Sequence, residues 1–284
     1  MVPALVIGLR EGVEASLIVG IIAAFLKRNG RSDALPIVML GVVAAGLLCL
    51  AVGIALDLVE RSLPQRPQEQ LETVVGAIAV LIVSYMVVWM RKHSREMRGS
   101  LEAGAREALA KGSVAALVGM AFIAVLREGF ETAIFLVAVF QSSGNADASG
   151  AGAVIGLVLA VAIGYGIYRG GVRINLARFF KVTGFVLVLV AAGLVASALH
   201  TAWEAGWVTV LQGQALDLGW LLKPGTVTSA LVTGMLGIQP RPTVLETAGW
   251  LLYLIPASLF IFWPQGPRIP RVSNPAKSPA GEAA

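Results

Sequence analysis

The sequence predicts an all-α polytopic membrane protein: seven transmembrane helices, an inverted 3+3 repeat plus one C-terminal helix, with the N-terminus outside and the C-terminus inside. Three observations predict it. The 284 residues are 57% hydrophobic and 14% charged, with a mean hydropathy of +0.79, outside the range of soluble domains. Seven apolar stretches approach or exceed the ~20 residues of helix that cross a hydrocarbon core of about 30 Å. A charged motif, LREGVEAS at residues 9–16, recurs as LREGFETA at 126–133, an offset of 117 residues.

The elements follow in chain order. Residues 3–26 form the first span: with no basic leader, charges in its middle and no small-residue cleavage site, it does not read as a signal peptide. Spans at 35–56 and 72–90 complete a first three-helix repeat, residues 1–91. A basic linker follows at 92–113, in which Leu101, Ala105, Ala108 and Leu109 recur at helical spacing, as in a cytoplasmic surface helix beside anionic headgroups. Spans at 114–140, 152–168 (the shortest) and 180–202 make the second repeat, residues 114–202. Residues 203–263 hold an extracellular loop and the last span at 245–263, and 264–284, rich in Pro, Ser and Ala, reads as a disordered cytoplasmic tail.

Loop charge sets the orientation. Alternate loops and the C-terminal tail hold 16 of the 22 basic residues, against four in the opposite set (Arg61, Arg66, Lys223 and Arg241) and two inside spans. Lysine and arginine are retained on the cytoplasmic side, so the tail is inside and an odd number of spans puts the N-terminus outside. The net charge of +5 is therefore a consequence of topology, and nucleic acid is not an expected partner. Cys49 is the only cysteine, which excludes an internal disulfide and a thiolate metal cluster. Two histidines, one of them His93 in the basic linker, make a haem site improbable, and no cofactor is expected.

The repeated motif carries the chemistry. On a helical wheel Arg10, Glu11 and Glu14 share a sector about 100° wide, and Glu14 lies four residues from Arg10 and three from Glu11. Gly8, Gly12, Ser16 and Gly20 form a separate row of small residues for close helix packing, continued in the second copy by Gly129 and Ala133. A charge at the bilayer centre costs roughly 2.5 to 3.5 kcal/mol even on lenient scales, so six of them face protein or water and not lipid. The copies fall in the first and fourth spans and approach the midplane from opposite directions, the arrangement in which transporters place a substrate site between repeats. Four glutamates and two arginines leave a net charge of −2, an acceptor-rich centre suited to a cation. Oxygen donors favour hard ions such as Mg, Ca, Mn and ferric iron, with the arginines orienting the carboxylates. The competing reading, an ion-paired lock between repeats, gives no role to the excess negative charge.

Each motif copy fits the pattern R-E-x-x-E, and with the seven spans the chain resembles the oxidase-dependent iron permease family, which includes fungal and bacterial members. HTAWEAGW at 200–207 and GIQPRPTVLETAGWLLYL at 237–254 resemble the family's last extracellular segment and final span. The resemblance implies a high-affinity Fe3+ permease of the plasma or bacterial inner membrane. Its iron ligands would be Glu11, Glu14, Glu128 and Glu131, with Arg10 and Arg127 beside them. The resemblance also implies iron as the transported substrate and an extracytoplasmic ferroxidase or periplasmic iron-handling protein as the partner; the chain itself lacks copper or haem ligand clusters that could oxidise iron. The bilayer and further copies of the chain are the other expected partners. Some bacterial relatives are linked with lead, so a proton-coupled transporter of Mn, Pb or a small solute is the alternative. An enzyme is not expected, since no nucleophile–base pairing or HExxH motif is present.

One further group stands out. Ser197, His200, Thr201 and Glu204 form a polar stripe at the outer end of the sixth span, flanked by Trp203 and Trp207 at an interface position. His200 and Glu204 are therefore candidates for an ion-entrance or proton-relay site. Glu72 and Glu246, also at outer span ends, read as solvated.

Overall fold

A computed structural model describes residues 1–93, 114–142, 146–169, 175–222 and 236–263, together with 226, 229, 232 and 233. Among these residues there are seven long helices: α1 (Val2–Arg28), α2 (Leu35–Ser62), α3 (Gln65–His93), α4 (Val114–Ser142), α5 (Ala146–Tyr168), α6 (Leu176–Glu204) and α7 (Val244–Phe262). Every predicted span is one of them. The surface helix expected around Leu101 and the tail at 264–284 lie outside the described residues.

The helices end where local chemistry ends them. α1 closes through Gly30 at φ +69°, with Arg31 N–H donating to the Leu26 carbonyl (3.0 Å) and Gly30 N–H to that of Lys27 (3.3 Å), the double bond pattern that a left-handed glycine permits. α2 stops as Leu63 turns extended before Pro64. Asn175 caps α6 by accepting from Arg178 N–H at 3.1 Å. α7 opens on a capping box, Thr243 Oγ1 accepting from Glu246 N–H and the Glu246 carboxylate accepting from Thr243 N–H, both at 3.2 Å.

Five helices are long and apolar enough to cross a membrane: α2, α3, α5, α6 and α7. α1 and α4 have the length, 27 and 29 residues, but each carries the three charges of its motif through its middle. Large apolar side chains on α2, α5 and α7, among them Leu40, Leu47, Leu50, Val158, Val161, Leu252 and Leu259, are exposed on the outside of the bundle, as lipid-facing side chains are.

The packing exchanges partners between the two halves. α1 lies along α5, and α4 along α2, while α3 packs on α6 and α7 covers α6. Close approaches climb together along the first two pairs, Gly8 to Ala153 and Gly12 to Ala160 in one, Gly41 to Val118 and Gly129 to Cys49 in the other, so both pairs run parallel. A Cβ on Gly12 would lie 2.6 Å from the Ala160 Cβ, and one on Gly129 would lie 2.7 Å from the Cys49 sulfur, which is why glycine occupies both positions. Gly20, read as part of the same row, departs from it, because a Cβ there would meet nothing within 4 Å. The apolar core uniting α1, α3, α4 and α6 includes Ile7, Val83, Phe135 and Leu187, and it surrounds the charged residues of α1.

Candidate metal centre

The motif charges converge. Carboxylate oxygens of Glu11, Glu128 and Glu131 lie within 4.8 Å of one another, a spacing that one cation could bridge. Glu11 and Glu128 are buried, and among the described residues Oε2 of Glu11, Glu128 and Glu131 finds no hydrogen-bond partner. An unpaired buried carboxylate oxygen is costly, and a bound cation would satisfy all three. Glu14 stands apart from this trio and pairs with Arg10.

The two arginines occupy different surroundings despite their identical motifs. Arg10 is 1% exposed, with Nη1 2.7 Å from Glu11 Oε1 and Nη2 3.1 Å from Glu14 Oε1. On its other side the guanidinium meets two sulfurs of α3, Met86 Sδ at 2.9 Å from Nη1 and Met90 Sδ at 2.6 Å from Nη2. Arg127 is 48% exposed, donates Nε–H to Glu131 Oε1 at 3.0 Å and lies 5.3 Å over the Trp89 ring. Sequence reading missed Met86, Trp89 and Met90. The four-residue spacing of the methionines was the available signal, but an apolar span offers no reason to single out a methionine.

A second polar group sits at the C-terminal end of α6. His200 Nδ1 lies 2.9 Å from Glu246 Oε1, and its Nε2 lies 3.5 Å from Glu204 Oε1. Glu246 corrects the sequence expectation: it is 5% exposed, because its second oxygen caps α7 while His200 takes the first. Glu72, half-buried, accepts from Gln68 at 3.0 Å, and Thr73 and Thr201 share a hydrogen bond of 2.8 Å between α3 and α6. Beside them a cavity of about 210 Å³ is lined by Ser149, Ser197, Gln239 and Glu246.

Apolar helices packed around carboxylates that keep buried oxygens unbonded are the architecture of a multi-pass membrane permease. The model of the iron permease FTR1 family matches residues 1–265, and the chain belongs to that family. The ferrous iron permease EfeU of Yersinia pestis is 43% identical over 257 residues, covering 90% of this chain and 91% of its own length. That of Escherichia coli O157:H7 is 43% identical over 251 residues, covering 88% and 91%. No solved structure matches the chain.

Proposed function

We propose that the chain carries iron inward across the plasma or bacterial inner membrane, through a site near the midplane made by Glu11, Glu14, Glu128 and Glu131. The observation behind this reading is the trio of carboxylates from two helices with three partnerless buried oxygens. Arg10 and Arg127 orient the carboxylates and balance part of their charge while the site is empty. The exchanged packing of α1 with α5 and α4 with α2 supports an inverted 3+3 repeat, with α7 appended and the N-terminus outside. An all-oxygen donor set favours Fe3+; the relatives are named for ferrous iron, and the donors that could decide between them are the sulfurs beside Arg10. Because the chain has no cluster to change the oxidation state, an extracytoplasmic iron-handling partner supplies the ion.

Uptake of radioactive iron by proteoliposomes, with Glu11→Gln and Glu131→Gln as controls, tests the reading. Transport that survives loss of all four glutamates refutes it; manganese or lead carried in place of iron refutes only the substrate. A proton-coupled mechanism has one observation in its favour, the line Glu204, His200, Glu246 running from half-exposed to buried beside the outer cavity. It predicts that an imposed pH gradient drives uptake by wild type and no longer by His200→Gln.

A further inference from the structure

Arg10 is not held by carboxylates alone. Met86 and Met90 stand four residues apart on α3, hence on one face, are 2% and 6% exposed, and aim both sulfurs at the same guanidinium. A thioether is a weak hydrogen-bond acceptor, and leucine fills an apolar helix interface about as well as methionine. The guanidinium donates weakly to both sulfurs, and ligand chemistry gives their convergence a further use: thioether sulfur suits softer ions, and an ion held by mixed oxygen and sulfur donors is borderline, not hard. The guanidinium is already a cation seated between carboxylates and thioethers. It is tethered by a flexible chain, and its Nε has no partner.

We propose that Met86 and Met90 are specificity-determining residues of the transport site, whose sulfurs join the carboxylates when Arg10 swings aside and select Fe2+ over Fe3+ and over harder divalent ions such as Mn2+. The proposal rests on the iron reading above. Glu11 Oε1 and Met86 Sδ touch the same nitrogen, as do Glu14 Oε1 and Met90 Sδ, so an ion taking the place of either nitrogen reaches an oxygen and a sulfur together. Sulfur donation stabilises the lower oxidation state, as an axial methionine raises the potential of haem iron. No electron moves in this step; the site sorts ions and does not convert them. Arg127 faces an aromatic ring in the corresponding role, so the sulfur donors serve the first motif.

The test uses the full chain, purified and reconstituted. Equilibrium competition between Fe2+ and Mn2+ is compared in wild type and the Met86→Leu/Met90→Leu variant, and the ratio of Fe2+ to Mn2+ bound is expected to fall about tenfold or more on loss of two ligating sulfurs. Iron X-ray absorption of Fe2+-loaded wild type is expected to show a sulfur shell, replaced by selenium in selenomethionine-labelled protein. The labelled wild type decides the matter even where the double variant does not fold. An unchanged ratio, or a shell of oxygen and nitrogen alone, overturns the methionine proposal while leaving the iron reading intact, provided Glu11→Gln and Glu128→Gln still abolish binding. Wild-type protein that neither binds nor carries iron overturns both.

Discussion

Replacing Arg10 and Arg127 by leucine, one at a time, puts a number on the difference between two identical motifs. Arg10 makes two ion pairs, at 2.7 and 3.1 Å, in a setting where it is 1% exposed. Its removal leaves Glu11 and Glu14 buried without a counter-charge, and breaking a buried pair from one side costs about 3 to 5 kcal/mol. Arg127 makes one pair at 3.0 Å with its side chain 48% exposed, and where that exposed side faces a water-filled path the pair is worth about 1 kcal/mol or less. The contact over Trp89 adds about 0.5 to 1 kcal/mol at an exposed site. Arg10→Leu is therefore expected to cost at least about 1 kcal/mol more than Arg127→Leu. Reversible denaturant unfolding of the purified protein in one detergent reads the difference. Saturating Fe2+, at about a hundred times the dissociation constant of each protein, is expected to add about 2.7 kcal/mol to wild type and to each variant that still binds it. Equal losses for the two variants, or a larger loss for Arg127, would refute the claim that the two arginines occupy different surroundings.

Other outcomes follow from the same contacts. Gly129→Leu forces a side chain into the Cys49 sulfur and is expected to cost about 1 to 3 kcal/mol, whereas Gly20→Leu, facing open space, stays within about 0.5 kcal/mol; thermal unfolding distinguishes them. Thr243→Ala removes the cap of α7 and is expected to cost about 1 kcal/mol, seen as a lower unfolding midpoint. Glu128→Gln removes one member of the carboxylate trio while keeping its shape, and is expected to weaken iron binding by at least about tenfold in a direct titration.

The fold was largely legible because lipid imposes a simple code. Runs of apolar residues must be helices in a bilayer, and every predicted span but the third, 72–90, comes within two residues of its helix at one end at least. The ends were less legible: α3 begins at Gln65, before the apolar run, since QRPQEQL continues the helix with polar side chains. Which helix packs on which was not written in hydropathy, and the partner exchange emerges only from where Gly8, Gly12 and Gly129 find neighbours. At the site, the charged residues announced themselves by their cost in lipid. Met86 and Met90 did not, because a thioether has no such cost and reads as one more apolar side chain. Glu246 was misread although Thr243 and Glu246 stand at capping-box spacing, because its other partner, His200, lies in a different helix.

The exchange of partners also bears on how the protein is made. The glycine face of α1 fits α5, and its carboxylates meet those of α4, so before more than a hundred further residues have been synthesised α1 has native neighbours only in α2 and in the Met86 and Met90 sulfurs of α3, with its glycine face and its carboxylates unmatched. At about 5 to 20 residues per second, that interval is on the order of ten seconds. Throughout it, Arg10 can neutralise its own two glutamates along one helix, while nothing covers the small-residue stripe. A fragment ending after α3 is therefore an unfinished half, and the two halves produced as separate chains must find each other before either is a folded unit.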